Sequence, residues 1–260
     1  MADAHQRRAR WPERLWIVRH GQSAGNVARD AADEAKLDRI GLDGRDVDVP
    51  LSALGEQQAI ALGHWFAQGE EGERPDIILT SPYVRAVQTA QLFREAGGAA
   101  DDVPVCMDER LREKEFGVLD GLTTLGIRNT FPDQAEFRRL LGKFYHRPPG
   151  GESWCDVIFR LRAVMDTISL HYAERRVLIV AHQVVVLCMR YLIENMDEQQ
   201  ILAIDREADV ANCAITEYEH DPDLGKAGGL RLLRYNVTAP MEKEDAPVTR
   251  APEAIVASRG

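Results

Sequence analysis

The sequence predicts an α/β protein built on a parallel sheet with helices on both faces. Three observations point there. Three short runs are wholly apolar, Leu15-Trp16-Ile17-Val18, Ile77-Ile78-Leu79 and Val177-Leu178-Ile179-Val180, as strands buried on both faces require. Segments with helical spacing of apolar residues stand between them, so strands and helices alternate. Each run leads into polar residues: Arg19-His20, then Ser81 with Arg85 in the following turn, then His182-Gln183. Ligands of such sheets bind beyond the carboxyl ends of the strands. If the three strands are parallel neighbours, these residues converge on one edge.

The elements follow in order. Residues 1–13 read as a flexible arm before the first strand. Val27 to Pro50 is polar and weakly periodic, with a short helix over Ala28 to Leu37; it reads as a rim or lid, or equally as a surface excursion. Ser52 caps a helix running to about Gln68, with Ala59, Leu62, Trp65 and Phe66 at helical spacing. After strand Asp76 to Thr80, Ser81-Pro82 reads as an N-cap followed by a first-turn proline, and Gly97-Gly98 ends that helix. A short strand over Val103 to Met107 precedes the charged segment Arg110 to Gly117. Helical sequence over Thr123 to Tyr145 breaks near Pro132, Pro148 to Gly151 is a loop, and Ser153 caps a long helix with Val157, Leu161, Val164 and Ile168 on one face. Arg176 to Ala181 is the most strand-like run, and a helix over Val184 to Glu194 follows. Ala214 to Tyr218 and Leu230 to Tyr235 read as a terminal hairpin. Residues 236–260, rich in Pro, Ala, Glu and Lys, read as a disordered tail. One folded domain over residues 14–235 results.

Composition narrows the function. The 260 residues are 45% apolar and 28% charged, ordinary for a globular protein. A net charge of −10 argues against a general nucleic-acid or anionic-membrane surface, though not against a local cationic pocket. No apolar run approaches the ~20 residues that span a bilayer, and Met1 to Arg10 lacks the apolar core of a secretory signal. Cys106, Cys155, Cys188 and Cys213 are scattered without paired spacing, which suits reduced thiols in a cytoplasmic protein and no zinc site.

The polar residues at the strand ends carry the chemistry. Arg19 presents a rigid fork of donors suited to phosphate. His20 is largely neutral near pH 7 and can act as nucleophile or base. Gly21 permits a tight turn and close approach to the backbone. Each also has an ordinary reading: Arg85 suits a surface ion pair, Asn26 a helix cap, His182 a satisfied core position, and Glu113 one charge among Glu109, Arg112, Lys114 and Glu115.

Five segments in order resemble the histidine phosphatase superfamily, the phosphoglycerate mutase-like proteins. They are Arg19-His20-Gly21 with Asn26; Thr80-Ser81-Pro82-Tyr83-Val84-Arg85; Leu111-Arg112-Glu113-Lys114-Glu115-Phe116-Gly117; Gly150-Gly151-Glu152-Ser153; and Val177 to Gln183. The resemblance covers roughly residues 14–235. It implies a three-layer α/β/α sandwich around a mostly parallel sheet, with no metal and no cofactor. It implies that His20 takes the phosphoryl group as nucleophile and that Glu113 protonates the leaving alcohol. Arg19, Arg85 and His182 then surround the phosphoryl oxygens, with Asn26 and Gln183 adding hydrogen bonds. The Gly-Gly-Glu-Ser loop is open to two readings, substrate contact or helix capping.

Within that resemblance the expected activity is that of a phosphatase acting on a small phosphorylated metabolite. A cofactor-dependent mutase is the alternative. The mutase insert before the Gly-Glu-Ser loop is short here, and Gln183-Val184 stands where mutases carry Gly-Asn. Paired Arg138-Arg139 keeps the mutase reading open. A non-catalytic phospho-ligand binder and a metal-dependent hydrolase are more distant readings. Specificity is expected in Val27 to Pro50 and Thr123 to Tyr145, where Arg39, Arg45, Arg128, Arg138, Arg139 and Lys143 are candidates for a second anionic group. Substrate and oligomeric state stay open.

Overall fold

A computed structural model describes residues 10–42, 44–69, 73–225 and 228–250. Six strands form one sheet: β1 (Arg14–Arg19), β2 (Ile77–Thr80), β3 (Val105–Met107), β4 (Arg176–Ala181), β5 (Ile215–Asp221) and β6 (Gly229–Val237). Their spatial order is β3-β2-β4-β1-β5-β6, with β1 to β4 parallel and β5 and β6 antiparallel additions at one side. The sheet is thus mostly parallel, as the resemblance implies.

Alternation along the strands divides the core in two, because successive side chains point to opposite faces. Leu15, Ile17, Leu79, Val177 and Ile179 face one layer, formed by α6 (Trp154–His171) and α7 (Gln183–Ile193). Trp16, Val18, Ile78, Leu178 and Val180 face the other, formed by α2 (Ala53–Ala67) and α3 (Val84–Phe93). The remaining helices are α1 (Ala24–Glu34), α4 (Thr124–Thr130), α5 (Pro132–Tyr145), α8 (Glu198–Glu207) and α9 (Ala239–Lys243). Ser52 and Ser153 cap α2 and α6 through their hydroxyls, and the helical stretch 124–145 breaks at Phe131-Pro132.

The register sets the site. Arg19 pairs with Ala181 and Thr80 with Val180, so β1, β4 and β2 end side by side. The His20 N–H donates to the Ala181 carbonyl at 2.9 Å, and the Ser81 N–H to the Val180 carbonyl at 3.0 Å. Gly21 permits close packing: a Cβ there would lie 2.4 Å from the Gly55 carbonyl oxygen, so the turn after β1 seats against the first turn of α2.

Several expectations need correction. The helix expected over Ala28 to Leu37 runs instead from Ala24 to Glu34, because Ser23 and Asn26 form a reciprocal capping box that starts it earlier. Ser81 does not cap α3, which starts at Val84; the Ser81 hydroxyl instead meets His182 and the Tyr83 N–H. The 14–235 boundaries are too narrow on both sides. Trp11 packs against the core and its indole donates to the Gly228 carbonyl, while residues 1–9 lie outside the described residues. The supposed tail is folded through residue 250. Met241 of α9 is fully buried beside α2, and the Thr249 hydroxyl donates to Asn212 Oδ1. Polar composition hid the few apolar anchors of this segment, Met241 and Ala246 among them. Residues 251–260 lie outside the described residues. The four cysteines are free thiols, Cys188 and Cys213 buried. Among the described residues no helix is long and apolar enough to cross a membrane.

Candidate active site

A recess of about 130 Å³ opens at the carboxyl ends of β1, β2 and β4. Six of the seven residues singled out from the sequence line it: Arg19, His20, Asn26, Arg85, Glu113 and Gln183. The seventh, His182, is fully buried beside it, its ring 5.1 Å from that of His20.

The His20 ring is held on both edges. Nδ1 lies 2.7 Å from the Gly21 carbonyl oxygen, which can only accept, so Nδ1 carries the proton. Arg85 Nε donates to His20 Nε2 at 3.3 Å. Burial first, then the charges of Arg85 and Arg19, hold His20 well below the usual histidine range. The imidazole is therefore neutral, with the Nε2 lone pair on the Arg85 side.

The cations are held in turn. Arg19 Nη1 donates to Gln183 Oε1 at 2.9 Å and to the Val210 carbonyl at 2.5 Å; Gln183 Nε2 donates to Asp209 Oδ1 at 3.0 Å. Burial lowers the Arg19 guanidinium to about 10, so it stays charged at neutral pH. Gln183 thus orients Arg19 through its side chain, and as the first residue of α7 it sets that helix N-terminus, a favourable end for an anion, at the recess. Arg85 meets an acid from the polar stretch: its Nη1 donates to Asp46 Oδ1 at 3.0 Å and to the Asp46 carbonyl at 2.7 Å, and Nη2 to Oδ2 at 3.0 Å.

His182 Nε2 lies 2.7 Å from the Ser81 hydroxyl, and Nδ1 lies 4.0 Å from Glu113 Oε2. Burial, then Arg85 and His20, push His182 well below its usual range too. Glu113 and Glu115, one charge run in the sequence, part company in space. Glu113 lines the recess, whereas Glu115 accepts from the Tyr83 hydroxyl at the surface. Glu152 is an anchor rather than a ligand contact. It accepts from Arg112, Arg160 and the Glu115 N–H, and so fixes the segment that carries Glu113.

The polar stretch after Asn26 supplies one wall, through Arg29, Ile40, Leu42, Gly44, Asp46 and Val49. The helical region 123–145 supplies none of the lining. Sequence reasoning missed the loop 209–212, which supports Arg19 and whose Asn212 Nδ2 donates to the His20 carbonyl at 2.9 Å. No motif marked it, although Asp197 and Gln200, a capping pair, signal the helix α8 leading into it.

The sequence pattern of the histidine phosphatase superfamily (branch 1) matches residues 15–233, most of the chain. This protein is a histidine phosphatase superfamily member. Its relatives within the superfamily differ in activity. It is 33% identical over 179 residues to 6-phosphofructo-2-kinase/fructose-2,6-bisphosphatase of Caenorhabditis elegans, a match covering 68% of this chain but only about a third of that protein, 33%. It is 28% identical over 230 residues to "Probable phosphoglycerate mutase GpmB" of Yersinia enterocolitica, covering 88% and 94% of the two chains. A mycobacterial glucosyl-3-phosphoglycerate phosphatase solved with VO3 superposes with a TM-score of 0.63 at 25% identity, over 87% of this chain and all of that one, 100%. Superfamily membership thus accounts for the five ordered segments and for the sandwich fold; phosphatases and a mutase-named protein both stand among its neighbours.

Proposed function

We propose that the chain is a phosphomonoesterase working through a phosphohistidine on His20, without a metal. The observation that carries the reading is the His20 ring itself. Its Nδ1 proton is tied to the Gly21 carbonyl, leaving a neutral Nε2 lone pair beside Arg85. Nε2 attacks phosphorus, and the bond from phosphorus to the alcohol oxygen breaks. Glu113, entering protonated, gives its proton to that oxygen. Water then attacks phosphorus, Glu113 takes the proton back, and the N–P bond breaks to release inorganic phosphate. Arg19, Arg85, His182, Asn26 and Gln183 surround the transferring group, whose charge spreads over its equatorial oxygens. A small phosphorylated metabolite in the cytoplasm is the substrate setting this reading takes.

The mutase reading keeps support from the Yersinia relative, which matches over nearly its whole length. Against it, neither arginine of the Arg138-Arg139 pair lines the recess, and Arg139 is paired with Glu136 at the surface.

Hydrolysis of 4-nitrophenyl phosphate in excess EDTA, compared with His20→Ala, tests the proposal. Chelator-resistant turnover that is lost in the variant, with acid-labile phosphate on the native protein after a quench, is the expected result. Absent hydrolysis with phosphoryl exchange between phosphoglycerates would establish the mutase instead.

A further inference from the structure

Beyond the reacting centre the recess has an outer wall with its own chemistry. Ile40, Leu42, Val49 and Phe116 make part of it apolar. Asp46 and Asp120 stand in the same wall with Arg29. Among the described lining residues, Arg19, Arg29 and Arg85 face Asp46, Asp120 and Glu113; with Glu113 protonated for its part as acid, one entering phosphoryl dianion takes the recess past neutrality to net negative. Arg19 and Arg85 hold that dianion, which leaves one arginine, Arg29, in the outer wall beside the two acids Asp46 and Asp120.

The six cations singled out in the sequence for a second anion lie elsewhere. None lines the recess. Arg45 is paired with Asp48, Arg139 with Glu136 and Lys143 with Asp205. The acids, by contrast, are at the wall. Asp46 chelates the Arg85 fork, and Asp120 sits at the turn where its Oδ1 accepts the Gly121 N–H at 3.0 Å. Burial against the wall, and then the charge of Asp46, raise the Asp120 carboxyl, so the two acids act on a shared space. Carboxylates accept hydrogen bonds and attract cations; they repel phosphate and carboxylate.

We infer that the substrate is the phosphomonoester of an alcohol with no further negative charge, and that Asp46 and Asp120 select it by rejecting a second anion. Its body is partly apolar, against Phe116 and Ile40, and it carries hydroxyl or ammonium donors for the two acids. The inference rests on the phosphomonoesterase reading and narrows it. It sets this chain apart from an enzyme for sugar bisphosphates or phosphoglycerates.

The test is kcat/KM for three phenyl phosphates that share one ring and differ at the para tip: hydroxymethyl, aminomethyl and carboxylate. The native protein is expected to use the carboxylate at least tenfold less well than the hydroxymethyl ester, and the aminomethyl ester at least as well. Asp120→Asn keeps an oxygen to accept the Gly121 N–H, so the turn retains its hydrogen bond. It and Asp46→Asn should each narrow the tenfold gap to about threefold or less. A carboxylate tip used as well as the neutral one overturns the inference. A gap that neither substitution moves overturns the assignment to these two acids. 4-Nitrophenyl phosphate separates the layers: if it is hydrolysed and the carboxylate ester is used equally, only this inference fails. If it is not hydrolysed, the underlying phosphatase reading fails too.

Discussion

The Arg160 guanidinium holds the Glu152 carboxylate by two hydrogen bonds, Nε to Oε1 at 2.9 Å and Nη2 to Oε2 at 3.0 Å. The same fork reaches the carbonyls of Arg110, through Nη1, and Glu113, through Nη2. One helix residue, rooted in α6, thereby fixes the backbone on both sides of Leu111-Arg112, at Arg110 and at Glu113 itself. Both side chains are only about a tenth exposed, 10% and 12%.

Glu152→Gln should therefore cost stability and positioning together. Burial pushes the Glu152 carboxyl up, but the Arg160 bonds and charge, the Glu115 N–H and Arg112 outweigh it and hold it below its usual value. Removing one partner of a mostly buried pair costs about 3 kcal/mol. Denaturant melts should show that loss, and kcat should fall most for esters that need a proton on departure. An unchanged melt would show that the pair carries no structural load.

Glu113→Gln probes the proton donor directly. A positioned general acid contributes roughly 10²- to 10⁴-fold. Alkyl phosphate turnover should drop by about that factor. 4-Nitrophenyl phosphate, whose leaving group departs without a proton, should drop far less. Equal losses on both substrates would remove Glu113 from the role.

Asp46 and an entering phosphoryl group compete for the same Arg85 donors. Asp46→Ala should tighten vanadate binding, by about tenfold for ~1.4 kcal/mol of competition removed. Arg85→Lys should weaken it, since an ammonium cannot reproduce the fork. Titration calorimetry reads both; weaker vanadate binding in Asp46→Ala would mean that the acid orients Arg85 more than it competes.

His20 and His182 predict an acid-sensitive fold. Both are held neutral below the usual histidine value by burial first and then by nearby positive charge. Their folded values are depressed, so the unfolded chain binds more protons once pH falls below ~6.5. Stability should be full above that pH and decline as pH falls, by up to ~1.4 kcal/mol per pH unit for each histidine. His182→Gln should flatten the slope between pH 6.5 and 5 by about one proton; an unaltered slope would exclude His182 as a contributor.

Much of this was legible from residue order alone. Apolar runs flanked by polar ends declared β1, β2 and β4, and parallel pairing of those strands brings His20, Ser81 and His182 together. What stayed hidden depends on contacts between distant, individually ordinary residues. Nothing in the pattern of Asp46 marks its grip on Arg85, 39 positions away. Gln183 reads in sequence as one more hydrogen bond to the phosphoryl group, and nothing there shows that its side chain holds Arg19. Ser81 looked like a helix cap because Ser-Pro usually starts a helix; its proximity to His182 is a tertiary fact and overrides that local preference. The segment beyond Asn236 was misread because a few anchors, Met241, Ala246 and Thr249, bind a mostly polar stretch to the domain.

That last segment gives the site a timetable. The His20 carbonyl is held by Asn212, which is held by Thr249, and Gln58 ties Pro247 and Thr249 to the Gln22 N–H, two residues past the nucleophile. On a ribosome His20 emerges early and Thr249 late. The turn carrying the nucleophile therefore acquires its full set of backbone restraints only when nearly the whole domain has been translated, and a chain cut short before Thr249 leaves that turn without its final clasp.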